Sequence, residues 1–114
     1  MPGRSSQLLR GQQRAEVTAI GTIGVPVVIA SRKLGAGAIH TGISVLPVGV
    51  PAPRHSHNAE EQVTVLQGKV QITLGDRTQV CGRFDSTFIA AGVEHELVNV
   101  GDSTAFVLVV YGSP

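Results

Sequence analysis

Short apolar runs rich in Val, Ile, Leu and Ala recur along this chain, and small or polar residues separate them. The 14 Gly and 6 Pro residues are spread between the runs and do not gather into a linker. β-Branched residues are dense in the runs, as is usual in strands. The pattern predicts strands at Val25–Ser31, Ala38–Leu46, Gln62–Gln67, Lys69–Leu74, Thr78–Cys81, Thr87–Ile89, Glu94–Val100 and Ala105–Tyr111.

The breaks between the runs carry residues that favour turns. Gly75-Asp76 and Gly101-Asp102 supply the positive φ and the side-chain hydrogen bonds that tight hairpins need. No window shows a 3.6-residue apolar stripe, and Gly11 disfavours the one helical turn that residues 6–16 could form. Many short antiparallel strands at regular spacing predict an all-β sandwich or barrel.

The length of 114 residues suits one domain, so we predict a single domain over residues 1–114. Residues 1–14 are polar, and we expect them to form an N-terminal arm that is ordered only in part. With three Phe, one Tyr and no Trp, the predicted core consists of aliphatic side chains.

Charge and cysteine content argue against several classes of protein. Nine basic and eight acidic residues give no electrostatic footprint for nucleic acid or an anionic membrane. No segment reaches the roughly 18 consecutive apolar residues of a membrane helix, and we identify no signal peptide. The single cysteine, Cys81, permits no internal disulfide. That fits a reducing compartment, so we expect a cytoplasmic protein without a nucleic-acid or membrane partner.

Three of the four histidines stand where they can share one metal ion. In a strand, His55 and His57 would point to the same face, and Glu61 can return to that face across a short bend. An antiparallel sheet can bring His95 opposite these three residues. Imidazole nitrogen and carboxylate oxygen suit one divalent transition metal: Fe, Mn, Ni, Zn, Co or Cu. Four protein ligands would leave about two positions open on a six-coordinate ion.

Residues 49–68 resemble the first sequence motif of the cupin family, and every fixed position of that motif is filled, by Gly49, His55, His57, Glu61 and Gly68. Residues 84–99 resemble the second motif, which Gly92, His95 and Asn99 match. The flanking predicted strands suit the same fold, so the resemblance extends over nearly the whole domain.

Two positions of the second motif depart from the family pattern. Phe84 stands where the family has Gly, and Ala90 stands where it usually has Pro. These positions shape turns and do not ligate metal, so the departures concern loop geometry more than metal binding.

The resemblance implies an all-β cupin fold, which is a double-stranded β-helix (jelly-roll) barrel of the RmlC-like, cupin 2 type. It also implies that His55, His57, Glu61 and His95 are the ligands of the metal. Gln62 is a neighbouring candidate, because some cupins ligate through a glutamine near this point. The spacing to Gly68 favours Glu61.

Strand alternation supplies candidates for a pocket beside the metal. Val63 and Val65 share the parity of Glu61, and Leu97 and Asn99 share that of His95. For Asn99 we favour a structural role in a turn. His40 shares a strand face with Ser44, but the sequence does not identify which face is internal, and we favour a role outside the pocket. The pocket candidates are therefore Gln62, Val63, Val65, Leu97, Asn99 and His40.

The cupin fold does not fix a function, because its members include dioxygenases, isomerases, decarboxylases, lyases and non-catalytic binders. We predict a metal-dependent enzyme of one of these types, acting on a small organic acid, a phenolic or a sugar-derived substrate, with catalytic residues unassigned. The alternatives are a non-catalytic small-ligand binding or sensor cupin, and a metal-free structural cupin or relative of the sugar-nucleotide epimerases. The resemblance also implies a homodimer, because small cupins commonly pair their sheets or exchange an N-terminal strand.

Overall fold

A computed structural model describes residues 27–30, 38–51 and 54–112 of the chain. In these ranges the regular structure consists of eight strands and no helix. The strands are β1 (Val27–Ala30), β2 (Ile39–Leu46), β3 (Glu61–Gln67), β4 (Val70–Leu74), β5 (Arg77–Cys81), β6 (Ser86–Ile89), β7 (His95–Asn99) and β8 (Ala105–Gly112).

The predicted strands agree closely with this structure. The ends of β2 to β8 differ from the predicted ends by at most one residue. Of the predicted Val25–Ser31, only β1 lies within the described residues. The predicted N-terminal arm, residues 1–14, lies outside them, as does the helical turn considered for residues 6–16.

The strands form two antiparallel sheets. The larger sheet has the order β1-β2-β8-β3-β6, and the smaller has the order β5-β4-β7. Non-consecutive strands are neighbours in both sheets, so the pairing depends on contacts distant in sequence. The prediction of an all-β fold is confirmed.

One aliphatic core joins the two sheets, and strand alternation decides which residues enter it. In β3 the alternate residues Glu61, Val63 and Val65 are buried, whereas Gln62 is exposed. Burying these aliphatic side chains is the main stabilising contribution, at about 25 cal/mol per Å² of apolar surface. The core contains Leu46, Val63, Val65, Val70, Ile72, Cys81, Ile89, Leu97, Ala105, Val107 and Val109.

Asn99 connects the end of β2 to the turn between β7 and β8. Its side chain is 1% exposed, and its Nδ2 donates to the carbonyls of Leu46 and Ser103 at 2.9 and 2.7 Å. Its Oδ1 accepts from the Gly101 N–H at 2.9 Å. Because Asn99 satisfies three backbone groups at once, its amide holds the barrel together and does not face a ligand.

The turn between β5 and β6 contains Phe84, one of the two departures from the family pattern. Its φ is +71°, a conformation in which glycine is ordinarily preferred. Its N–H donates to the Val65 carbonyl at 2.6 Å, and the Asp85 carboxylate accepts from the Gly82 N–H at 2.8 Å. These bonds hold the turn in the glycine-type conformation although the residue is Phe.

The other departure, Ala90, also preserves its turn. The Ala90 carbonyl accepts from the Val93 N–H at 3.2 Å, and the next residue but one, Gly92, donates from its N–H to the His57 carbonyl at 2.7 Å. Backbone hydrogen bonds therefore keep this turn against the segment that carries His57 without the fixed φ of a proline.

In the part of the chain that the structure describes, we find no helix with the length and apolar character needed to cross a membrane.

The conformation and close packing of Gly68 predict the effect of a substitution there on stability. Its φ is +98°, and a Cβ there would lie 2.8 Å from the Cβ of Ala105 and 3.1 Å from its Cα. Gly68→Ala should therefore destabilise the protein by about 2–4 kcal/mol, since left-handed strain and overpacking add. Gly82→Ala is the matched control, because its Cβ would meet only the Asp85 carboxylate at 3.9 Å. Urea unfolding of both variants measures the difference, and equal stabilities would contradict this account of the β3–β4 turn.

Candidate metal centre

Backbone hydrogen bonds place the segment that carries His55 and His57 beside β7. The His55 N–H donates to the His95 carbonyl at 3.1 Å, and the His95 N–H donates to the His55 carbonyl at 2.8 Å. This reciprocal pair forms an isolated antiparallel bridge. Two histidines that lie 40 positions apart in sequence are thereby fixed opposite each other.

Arg54 anchors the same segment from the solvent side. Its Nε contacts the Glu94 carboxylate at 2.8 Å, and its terminal nitrogen donates to the Gly75 carbonyl at 2.8 Å. Both side chains are substantially exposed, at 40% and 63%, so the ion pair contributes at most about 1 kcal/mol to global stability. Its local effect is to join the His55 segment to the β4–β5 turn and to the start of β7.

The four residues predicted as metal ligands form one cluster. One ligand atom from each of the four side chains lies within 4.8 Å of the others. The closest contacts join Glu61 Oε1 to His95 Nε2 at 3.2 Å and to His57 Nε2 at 3.3 Å. The ring of His55 lies 4.3 Å, centroid to centroid, from that of His95.

Burial makes the inner half of this cluster unusual. Glu61 is 6% exposed and His95 is 1% exposed. Within the described part of the chain, Glu61 Oε1 and His95 Nε2 have no aligned hydrogen-bond partner, although they lie at ion-pair distance. Uncompensated buried polar atoms of this kind are rare, because each one loses its hydration without replacement.

The other ring nitrogen of His95 explains why Nε2 faces the cluster. Nδ1 lies 3.0 Å from the Val93 carbonyl, so it carries the proton in the neutral imidazole. Nε2 is then a lone-pair donor aimed at the cluster. This arrangement is the one in which a second-shell carbonyl fixes the tautomer of a metal-binding histidine.

Glu61 and burial shift the pKa values of two histidines in opposite directions. The contact with the Glu61 carboxylate raises the pKa of His95 by more than burial lowers it, and the Val93 carbonyl adds to the increase. Burial lowers the pKa of His57, and Glu61 offsets this only in part. The His57 imidazole is therefore neutral near pH 7 and offers its lone pair.

The donor set fits a divalent transition metal. Three imidazole nitrogens and one carboxylate oxygen are ligands for borderline cations, and a cation would compensate the two buried atoms that lack partners. His55 is exposed and the His57 side chain is 38% exposed, so the cluster is open to solvent on one side. An incoming molecule can reach the cluster from that side.

A pocket of about 110 Å³ extends from the cluster into the barrel. Val63 and Leu97, both predicted to line a pocket, line it. Four other residues line it that were not predicted from the sequence: Ser44, Leu46, Val109 and Tyr111. Apart from the four cluster residues, the lining is aliphatic except for the two hydroxyl groups of Ser44 and Tyr111.

The structure places the remaining pocket candidates elsewhere. Gln62 is exposed on the outer face of β3, where its Nε2 contacts Thr64 Oγ1 at 3.4 Å, because consecutive strand residues face opposite ways. Val65 is 0% exposed and lies deeper in the core, and Asn99 is occupied with backbone groups. His40 does not line the pocket, and its ring stacks on that of Tyr111.

Tyr111 joins His40 to the cluster. Its ring stacks on His40 at 4.8 Å with an interplanar angle of 9°, and on His57 at 5.6 Å with an angle of 30°. Burial raises the pKa of Tyr111, and the Glu61 charge adds to that increase. Tyr111 therefore braces one face of the His57 ring and keeps its own proton. Its place in the last predicted strand was the only signal in the sequence.

Fold and site together define a class of antiparallel β-barrels with a histidine-rich cluster near one opening. A family model described as "Cupin domain" matches residues 42–111, and the chain belongs to the cupin family. The sequence-based prediction of a cupin barrel is confirmed. A search among curated proteins found no match.

Solved structures show the same fold. A cupin protein from Bacteroides fragilis is 21% identical and has a TM-score of 0.73, with 99% of this chain and 86% of that chain covered. An RmlC-like cupin with a double-stranded β-helix fold, from Methanocaldococcus jannaschii, is 18% identical with a TM-score of 0.64, covering 77% and 80%. The DMSP lyase DddQ from Ruegeria pomeroyi is 24% identical with a TM-score of 0.63, covering 68% of this chain and 40% of that chain. At these identities the likeness concerns the fold.

The shifted pKa of His95 predicts how stability depends on pH in the metal-free protein. Because this pKa is raised above 6.5 on folding, the folded state binds the proton more tightly than the unfolded chain. The resulting stabilisation is complete below pH 6.5 and is lost as the pH rises through the folded-state value. His57, with a lowered pKa, acts below 6.5, where stability falls as the pH falls.

We therefore expect the melting temperature of the metal-free protein to decrease between pH 6.5 and 9, as followed by circular dichroism in a chelating buffer. Glu61→Gln removes the carboxylate that raises the pKa of His95, so its profile should be flatter over this interval. A wild-type profile that is flat or rises with pH would contradict the assignment.

Proposed function

We propose that this cupin binds one divalent transition metal through His55, His57, Glu61 and His95, and that it is a metal-dependent enzyme acting on a small organic acid. The observation that carries the proposal is the buried pair of facing electron-pair donors, Glu61 Oε1 and His95 Nε2, 3.2 Å apart. A cation bound between these two groups would compensate their lost hydration, because each group would then form a bond to the cation.

The size of the pocket favours one of the three substrate classes expected from the sequence. A cavity of about 150 Å³ holds a benzene ring, whereas the pocket here has a volume of about 110 Å³. A short aliphatic acid therefore fits the enclosed part better than a phenolic ring or a sugar. A carboxylate would occupy the open side of the cluster, and its chain would contact Val63, Leu97 and Val109.

A divalent metal, when bound, supplies Lewis-acid polarisation of a substrate oxygen, or oxygen chemistry if the metal is iron. The chain's own groups orient the substrate. Tyr111 keeps its proton at neutral pH because its pKa is raised, so its hydroxyl can donate a hydrogen bond to a bound oxygen. The aliphatic wall limits water to the open side of the cluster.

The reaction types left open are dioxygenation, isomerisation, lyase chemistry and decarboxylation. One structural neighbour is a DMSP lyase, which supports keeping the lyase class among them.

We also propose that the protein is a cytoplasmic homodimer. Its one cysteine, Cys81, is free and buried, and the large sheet leaves Ile39 and Phe88 exposed at 55% and 62%. Such exposed apolar side chains on a sheet suit a contact with a second chain.

The proposal predicts the metal content of protein purified without a histidine tag. Elemental analysis should find about one metal ion per wild-type chain, and His57→Ala should lower metal affinity at least about 10- to 100-fold, because a ligand matters no less than the groups that support it. His40→Ala is the matched control, since it removes the one histidine outside the cluster. No metal in the wild type, even after reconstitution, would contradict the proposal.

Catalysis is tested on the same metal-loaded protein. Incubation with a panel of short organic acids, followed by NMR, should show conversion that is lost on metal removal and in Glu61→Ala. Binding without conversion of any panel member would favour the non-catalytic binding module instead. Conversion that persists after metal removal and in Glu61→Ala would contradict the proposal of a metal-dependent enzyme.

A further inference from the structure

Ser44 is a buried residue whose hydroxyl group lines the pocket. The residue is 5% exposed and lines the cavity. Its neighbours along the inner face of β2 are Gly42, which has no side chain, and Leu46, which is apolar. Within the ranges that the structure describes, no protein group hydrogen-bonds the Ser44 hydroxyl. Because Ser44 lines the cavity, its hydroxyl is available to a molecule that enters there.

The strand register places Ser44 far from the metal-binding cluster. Glu61 pairs with Tyr111, and Tyr111 pairs with His40 on the neighbouring strand. Ser44 lies four residues further along β2, which corresponds to about 13 Å at the rise of an antiparallel strand. The pocket thus has a charged end at the cluster and a single hydroxyl towards its inner end.

The wall between the two ends is aliphatic. Val63 and Val109 are register partners on β3 and β8, and Leu97 faces them from the smaller sheet. Among the described residues that line the pocket, the charged and imidazole groups all belong to the cluster. The pocket, with a volume of about 110 Å³ that includes the space beside the cluster, suits a short chain.

We propose that the pocket selects short aliphatic carboxylates that carry a hydroxyl group at the far end of the chain. The carboxylate occupies the cluster, a chain of about three methylene groups follows the aliphatic wall, and Ser44 exchanges a hydrogen bond with the terminal hydroxyl. This inference rests on the proposed function for the carboxylate, which the metal holds. The role of Ser44 is additional to it.

The selectivity has a direct physical reason. An alkyl chain of the same length fills the same space but leaves the Ser44 hydroxyl buried without a partner. A terminal hydroxyl satisfies it, and a site built around a buried polar group discriminates against the analogue that lacks the matching group. The expected preference for the hydroxylated acid over its alkyl isostere is about three- to tenfold in Kd.

The test is calorimetric titration of the metal-loaded protein with two acids of equal size, 4-hydroxybutyrate and pentanoate. Wild type should bind 4-hydroxybutyrate about three- to tenfold more tightly, and Ser44→Ala should abolish or reverse that preference while metal content stays unchanged. Ser86→Ala is the matched control, because its hydroxyl bonds Thr64 on the outer face of the sheet. It should retain the wild-type preference.

Two further measurements keep the inference separate from folding and from the metal. Ser44→Ala should melt no lower than the wild type without ligand, since it removes an unpartnered hydroxyl. Longer acids, such as 8-hydroxyoctanoate, should bind more weakly than 4-hydroxybutyrate. Equal affinity for both isosteres in metal-loaded wild type, or an unchanged preference in Ser44→Ala, would overturn the inference and leave the proposed function standing. Protein that takes up no metal would instead defeat the proposed function.

Discussion

Two buried atoms that both present electron pairs, Glu61 Oε1 and His95 Nε2, face each other at 3.2 Å near one opening of the barrel. Strand pairing fixes the backbone at both residues, because Glu61 begins β3 and His95 begins β7, and the side chains are only 6% and 1% exposed. The Val93 carbonyl also fixes the tautomer of His95. The arrangement therefore requires a proton or a cation between the two groups.

The rest of the barrel keeps the Glu61 and His95 side chains in this arrangement. Asn99 connects β2 to the end of β7, and the bridge between His55 and His95 draws the first motif to the second. Arg54 adds an exposed contact with little effect on global stability but with a local effect on where His55 lies. The polar groups of the site are thus positioned by the strand pairing that also encloses the aliphatic core.

Sequence reasoning found the cluster because strand parity and motif spacing are local properties. His55 and His57 alternate, and the turns that orient His95 lie within a few residues of it. Gln62 was wrongly kept as a candidate, since a residue next to Glu61 in a strand faces the other way. Ser44 and Tyr111 were missed because their relation to the cluster depends on the β2–β8–β3 register, which no local pattern specifies. The positive φ of Phe84 could not be predicted from the sequence either, because bulky residues seldom adopt this conformation.

The central claim is that a metal ion occupies the space between Glu61 and His95. A crystal structure of metal-loaded protein, with anomalous data collected at the absorption edge of the metal, tests it most directly. The account predicts one anomalous peak about 2.0–2.2 Å from a nitrogen of each of the three cluster histidines and from an oxygen of Glu61. Its central claim would be contradicted by a peak held by other residues, or by a hydrogen bond joining Glu61 directly to His95 with no peak between them.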